Sequence, residues 1–168
     1  MSINLYVFPT SPTKICWSEL KNKFLELLTP EDIQKLGKIS LHRLGSDEIV
    51  LENENVSFFY NKDHGYYYLS SDLSDTLGIN IRENEPNYVS ERDMVEDFAR
   101  NLDTSTIQTL IQKWKTVGYI YGVESSQSSS QFLTSFAAAI AFLCKGYVVV
   151  TSNEFTLNIG VYKPEEFV

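Results

Sequence analysis

Two histidines and two cysteines, His42, His64, Cys16 and Cys144, are the residues of this 168-residue chain whose side chains most readily do chemistry. Their spacing limits what that chemistry can be. A zinc site needs three or four ligands converging from a helix or ribbon, and neither histidine has a second His, Cys or acid at such a spacing. His64 follows Asp63 and so offers an acid beside a base, but both fall in the turn-forming run Asn61–Gly65. No serine stands in a G-x-S-x-G setting, and neither G-x-G-x-x-G nor G-x-x-x-x-G-K-[ST] occurs; Gly118 and Gly122 lie within a predicted strand that lacks the lysine. The polar run "ESSQSSSQ" precedes a helix, where an anion could sit, yet its neighbour is Glu124 rather than a base. The pairs Glu52/Glu54 and Glu165/Glu166 have no predicted cleft to perturb them. No catalytic residue, no cofactor site and no metal site is therefore assigned.

Charge is more informative. Fourteen basic against 22 acidic residues give a net charge of −8, which argues against direct nucleic-acid binding, since phosphate contacts need a basic footprint. The acids are clustered. One run holds Asp47, Glu48, Glu52 and Glu54 with no base; another holds Glu83, Glu85, Glu91, Asp93, Glu96 and Asp97 against Arg92 alone. Such clusters usually keep a protein soluble. They can also steer a basic protein into place. Tyr66, Tyr67 and Tyr68 are consecutive and must face both sides of a strand, so at least one ring is expected at the surface; with Tyr88 they are the candidate aromatic anchors of a partner-binding face made by these acids.

The elements that position these residues are legible from periodicity. The β-rich "INLYVF" predicts a strand over 3–8, ended by Pro9 and Pro12. Trp17, Leu20, Phe24, Leu27 and Leu28 share one face of a predicted helix, Thr13–Leu28. Thr29-Pro30-Glu31-Asp32 has the cap, proline and acids of a second helix start, with Gly37 as its end. "KISLHRL" reads as a strand or an irregular edge. Alternation then predicts strands over 48–52, 56–61 and 65–70, with turns at Asn53–Asn55 and Asn61–Gly65. "INIRENEPNY" reads as a polar linker, so the single domain has a candidate subdivision into 1–80 and 87–168. Beyond it, helices are predicted over Ser90–Leu102 and, capped by Asp103 or Thr104, over Thr104–Trp114. Strands are predicted over 117–123, 147–151 and 155–161, and the chain closes in a helical turn or coil.

The most apolar stretch, "QFLTSFAAAIAFLCKGYVVVTSN", predicts a core helix Ser130–Lys145 lying on a sheet, followed by a strand. Phe132, Phe136, Ile140 and Leu143 recur at helical spacing beside Leu133, Ala137 and Ala141. Ser128 to Ser130 are candidate caps, Gly146 suits a left-handed helix stop, and Lys145 suits the helix's negative end. Lys145 comes too early for a membrane span, and the first residues lack the pattern of an export signal. Cys16 and Cys144 both fall in apolar helical patterns and are expected as buried free thiols in a reducing, cytoplasmic setting. The expected fold is α+β: a largely antiparallel sheet with helices mainly on one face.

The block Val117–Val168, with its polar loop, Ala-rich helix, glycine, strand and closing "VYKPEEF", resembles the C-terminal part of bacterial immunity proteins from polymorphic-toxin and contact-dependent inhibition loci. The resemblance implies a small cytosolic, non-enzymatic protein that binds a basic, often nuclease, toxin domain and blocks it. Two other classes fit the composition: an enzyme or small-molecule binder with an aromatic-lined pocket, and a phage or structural assembly protein.

Overall fold

The computed structural model describes residues 3–43, 48–56, 66–73, 79–84, 102–118, 120–125, 130–151 and 158–167. Seven strands form one sheet: β1 (Ile3–Phe8), β2 (Ile39–Arg43), β3 (Tyr66–Ser71), β4 (Ile79–Asn84), β5 (Ile120–Ser125), β6 (Tyr147–Val150) and β7 (Gly160–Tyr162). Their order is β2-β3-β4-β5-β1-β6-β7, and all six neighbouring pairs are antiparallel. The helices are α1 (Trp17–Leu27), α2 (Pro30–Leu36), α3 (Thr104–Val117) and α4 (Ser130–Cys144), and a 3-10 turn, Pro164–Phe167, follows β7. The fold is thus the expected α+β arrangement, and no helix among the described residues is long and apolar enough to cross a membrane.

Strand alternation separates two cores. Leu5 and Val7 of β1, Tyr121 and Val123 of β5, and Val148 and Val150 of β6 join α1 and α4 in the larger one. Phe8, Ile120 and Val149 point the other way, onto Ile107, Leu110 and Ile111 of α3. The period of two divides each strand between the faces, so the central strands are covered on both sides. α4 lies between the sheet and α1, and Phe136 meets Phe24 edge-on at 5.1 Å. Ala137, Ala138 and Ala139 are fully buried there.

Capping chemistry accounts for several helix ends. Thr29 Oγ1 accepts from the Asp32 backbone N–H, with Pro30 in the first turn and Gly37 at the end, as expected. Asp32 also accepts from Gln131 Nε2 at 2.7 Å, tying α2 to α4. Asp103 caps α3 by accepting from both the N–H and the hydroxyl of Thr106. α3 runs to Val117 and stops where Gly118 takes φ +98°, so the following strand begins at Ile120 rather than at residue 117.

Three sequence expectations are corrected, and one left open is resolved. "INIRENEPNY" is not a linker over its first half: Ile79–Asn84 is β4, paired with β3 and β5 in the middle of the sheet. A half-buried antiparallel strand needs an apolar residue only at alternate positions, and Ile79 and Ile81 supply them. Residues 48–52 are not a strand; a single bridge joins Ile49 to His42, and the chain then turns at Leu51–Glu54. "KISLHRL" does contain a strand, β2, beside β3. Finally, the left-handed residue after α4 is Lys145 (φ 53°), not Gly146. Gly146 is required for space: a Cβ there would lie 2.4 Å from the Phe8 carbonyl oxygen. The predicted helix Ser90–Leu102 and the predicted strand 56–61 lie largely outside the described residues, as does 155–157 of the last predicted strand.

Because the contact at Gly146 is with backbone, it cannot relax by a rotamer change. Gly146→Ala is expected to destabilise the protein by about 1–3 kcal/mol in urea denaturation, whereas Gly160, whose nearest potential contact is an ordinary 3.5 Å, should accept alanine with a smaller loss.

Candidate functional site

Residues 48–56 form the best-defined candidate. Their backbone clasps two elements. Arg43 N–H donates to the Glu48 carbonyl and Val50 N–H to the Leu41 carbonyl, which covers part of the outer edge of β2. The carbonyls of Glu54 and Glu52 accept from the N–H groups of Trp17 and Ser18, in the first turn of α1. Helix starts leave such donors unsatisfied, and the residue before α1, Cys16, provides no side-chain cap. The Cys16 thiol instead donates to the Glu52 carbonyl at 2.9 Å.

The side chains on this clasp divide by direction. Val50 and Val56 are buried, at 2% and 1% exposed, and anchor it to the core. Ile49 and Leu51 turn outward, at 58% and 60% exposed, between Glu48 and Glu52. Sequence reading took this run as a strand and missed the exposed apolar pair. The signal was the three consecutive apolar residues Ile49–Leu51, one more than a one-sided strand needs.

The acids here are partly neutralised. Arg43 bonds Glu54 at 2.6 Å and lies 3.6 Å from Glu48, and Lys21 pairs with Glu52. Three carboxylates therefore face two cations. The Arg43 hydrogen bond, aided by the Leu51 N–H, holds the Glu54 carboxyl below its usual range, and Glu54 in turn raises the Arg43 guanidinium.

The remaining candidates are scattered. Tyr67 is 6% exposed in the larger core, so it is removed from the proposed surface anchors: strand alternation sets it on the same face as the buried Leu69. Tyr68, on the opposite face, is half-buried and stacks on His42 at 4.8 Å. Tyr66 pairs with Arg82 across β3 and β4, and Glu83 lies on β4 at the same end of the sheet as Arg43, two strands away. Two strand spacings are about 10 Å. Asp47, Glu85, Tyr88, Glu91, Asp93, Glu96, Asp97 and the His64 turn lie outside the described residues. Of the first acid cluster, the structure therefore brings Glu48, Glu52 and Glu54 together.

Two further groupings were not foreseen. His42 Nε2 is hydrogen-bonded to Ser70 Oγ at 2.9 Å, the geometry of a base beside a hydroxyl nucleophile. Among the described residues the other ring nitrogen, Nδ1, has no hydrogen-bond partner, so none of them orients the imidazole as the third member of a triad would. The pair is a cross-strand contact of β2 and β3 that only their register could reveal. The other grouping is a shallow depression beside the end of α4, lined by Phe142, Lys145, Lys163 and Glu165 among others. No cluster able to hold a metal ion occurs among the described residues.

The cysteines differ from expectation in one respect. Both are free, and Cys144 is buried, its thiol pushed up to about 12 by desolvation. Cys16 is only half-buried, because it stands just outside α1 rather than on its inner face. The molecule is thus an α+β protein with a single antiparallel sheet and an acid-flanked apolar clasp at one edge. No protein-family model, curated protein or solved structure matches the chain.

Two outcomes follow. A thiol reagent should modify Cys16 well before Cys144, seen as one fast and one slow equivalent; equal rates would contradict the burial of Cys144. Glu54→Gln should lower stability at pH 7 by less than about 1 kcal/mol, as for a partly exposed ion pair. A depressed carboxyl contributes fully above the ordinary carboxylate value of about 4.3 and loses that contribution as pH falls through its folded value. The difference between wild type and Glu54→Gln should therefore fade as pH falls below about 4, measured by denaturation across pH.

Proposed function

We propose that the chain is a non-enzymatic, acidic binding protein of the cytoplasm that neutralises a basic toxin domain, as immunity proteins do. The observation that carries this reading is the pair Ile49 and Leu51, exposed at 58% and 60% on a clasp edged by Glu48 and Glu52. Apolar residues at the centre of a patch with polar groups around them are the usual anatomy of a protein interface. A net charge of −8 selects for a partner of opposite sign and speeds its approach. The resemblance of Val117–Val168 to immunity proteins supports the same reading.

The two kinds of residue have separable roles. Burial of Ile49 and Leu51 holds the complex together, and the carboxylates set the approach. The second cluster, from Glu83 to Asp97, adds to the net negative charge of the chain.

The test is binding of a basic toxin domain from the same locus, followed by surface plasmon resonance at two salt concentrations. Ile49→Ser with Leu51→Ser should raise the dissociation rate about tenfold or more. Glu48→Lys with Glu52→Lys should slow association and reduce its salt dependence, because exposed charges are screened over roughly 8–10 Å at physiological salt. Co-expression should protect cells from the toxin with wild type and less with the serine variant. Association that ignores salt, or dissociation that ignores the loss of both apolar side chains, would count against the reading.

A further inference from the structure

Residues 48–50 lie along β2 as a further strand would, and so become the sheet's outer margin. β2 is the first strand of the order β2-β3-β4-β5-β1-β6-β7. Arg43 N–H donates to the Glu48 carbonyl at 2.9 Å, and Val50 N–H donates to the Leu41 carbonyl at 2.8 Å. These two bonds fix the direction of the polar groups between them. In a trans peptide the C=O and N–H point opposite ways, and no peptide among the described residues is cis. The Ile49 N–H shares a peptide with the Glu48 carbonyl, so it points away from β2. The Ile49 carbonyl shares a peptide with the Val50 N–H, so it points away too. The bridge between Ile49 and His42 is accordingly of the kind whose two residues exchange no hydrogen bond. Among the described residues neither Ile49 group has a partner, and the residue is 58% exposed.

The open margin has a defined register. At Leu51 the backbone turns back on itself: its N–H donates to Glu54 Oε1 at 3.3 Å, and its carbonyl accepts from the Glu54 N–H at 3.0 Å. A strand added at this margin is therefore registered on Ile49 and stops at Leu51. Open strand edges are templates for another strand, and the alternate side chains decide which one is taken. The residue opposite Ile49 shares its face and meets an apolar side chain. The next residue along the added strand faces the other way, beside Glu48, whose side chain is 69% exposed. Charge also excludes a second copy of this chain. Self-pairing centred on Ile49 would set two molecules of net charge −8 edge to edge, each with a Glu48 on the pairing strand.

We propose that the clasp takes its partner by strand addition: an extended segment of the partner, with alternating apolar and basic side chains, hydrogen-bonds to both backbone groups of Ile49. This mode rests on the assignment of the clasp as the partner surface. It adds to the side-chain contacts of Ile49 and Leu51 a backbone contact and a sequence pattern for what binds.

The experiment titrates the full chain with a capped peptide of alternating lysine and valine and follows amide exchange by NMR. Saturable binding is expected, with slowed exchange at the Ile49 amide. The same peptide N-methylated at its valines keeps every side chain and charge but loses the donors to the Ile49 carbonyl, and should bind about tenfold more weakly. Glu48→Gln should weaken the unmethylated peptide by up to about fivefold, as for an exposed ion pair. Absence of saturable binding would overturn the proposal, as would equal affinity for the methylated peptide or binding that leaves the Ile49 amide unprotected. Protection of that amide by raising the concentration of the chain alone would make a second copy the occupant and overturn the choice of a basic strand. If the lysine–valine peptide pairs at Ile49 while a toxin domain leaves residues 48–54 unprotected, strand addition stands and toxin binding at the clasp fails. If a toxin domain protects those residues and methylation of the peptide changes nothing, strand addition alone fails.

Discussion

The constraint on which the structure depends is that its central strands are buried on both faces. Leu5 and Val7 of β1 are fully buried toward α1 and α4, and Phe8 of the same strand is fully buried toward α3. The strands on either side, β5 and β6, divide their residues in the same way. Each apolar square ångström removed from water is worth about 25 cal/mol, and β1 gains from both directions. Helices must then cover both sides of this region. Even the close contact of Gly146 with the Phe8 carbonyl follows, because α4 must turn into β6 directly beside β1.

The β2 edge, away from these doubly covered strands, carries the clasp that we propose as the binding surface. The clasp over residues 48–56 satisfies the open donors of α1 and part of the β2 edge with its own backbone. Its shape is therefore set before any partner arrives, which lowers the ordering cost of binding. The carboxylates serve the clasp as well as the field: Glu54 and Glu52 hold it to Arg43 and Lys21. A count of acids in the sequence overstates the bare charge at this edge, and Ile49 and Leu51 supply what charge alone cannot.

Much of the fold was legible because its signals are local. The apolar face of α1, the Thr29 cap of α2, the Asp103 cap of α3 and the Ala-rich α4 each depend on residues within a few positions. What could not be read depends on distant neighbours. β4 looked like a linker because only two of its six residues are apolar, and what makes it a strand is the pair of partners on either side. Gly146 looked like a conformational stop, but its reason is a carbonyl 138 positions earlier, at Phe8. The 48–52 run is as apolar and β-branched as a strand, yet its backbone is taken by α1 and the β2 edge. The site was legible only in its acids. Tyr67 could not be assigned to the core, nor Ile49 to the surface, until the register was known.

The central claim is that the clasp is the surface a basic toxin domain covers. Hydrogen exchange of the free chain and of its one-to-one complex with such a domain tests it most directly. The account predicts slowed exchange concentrated in residues 48–54, centred on Ile49 and Leu51. Unchanged exchange there, with protection confined to other parts of the chain, would contradict it.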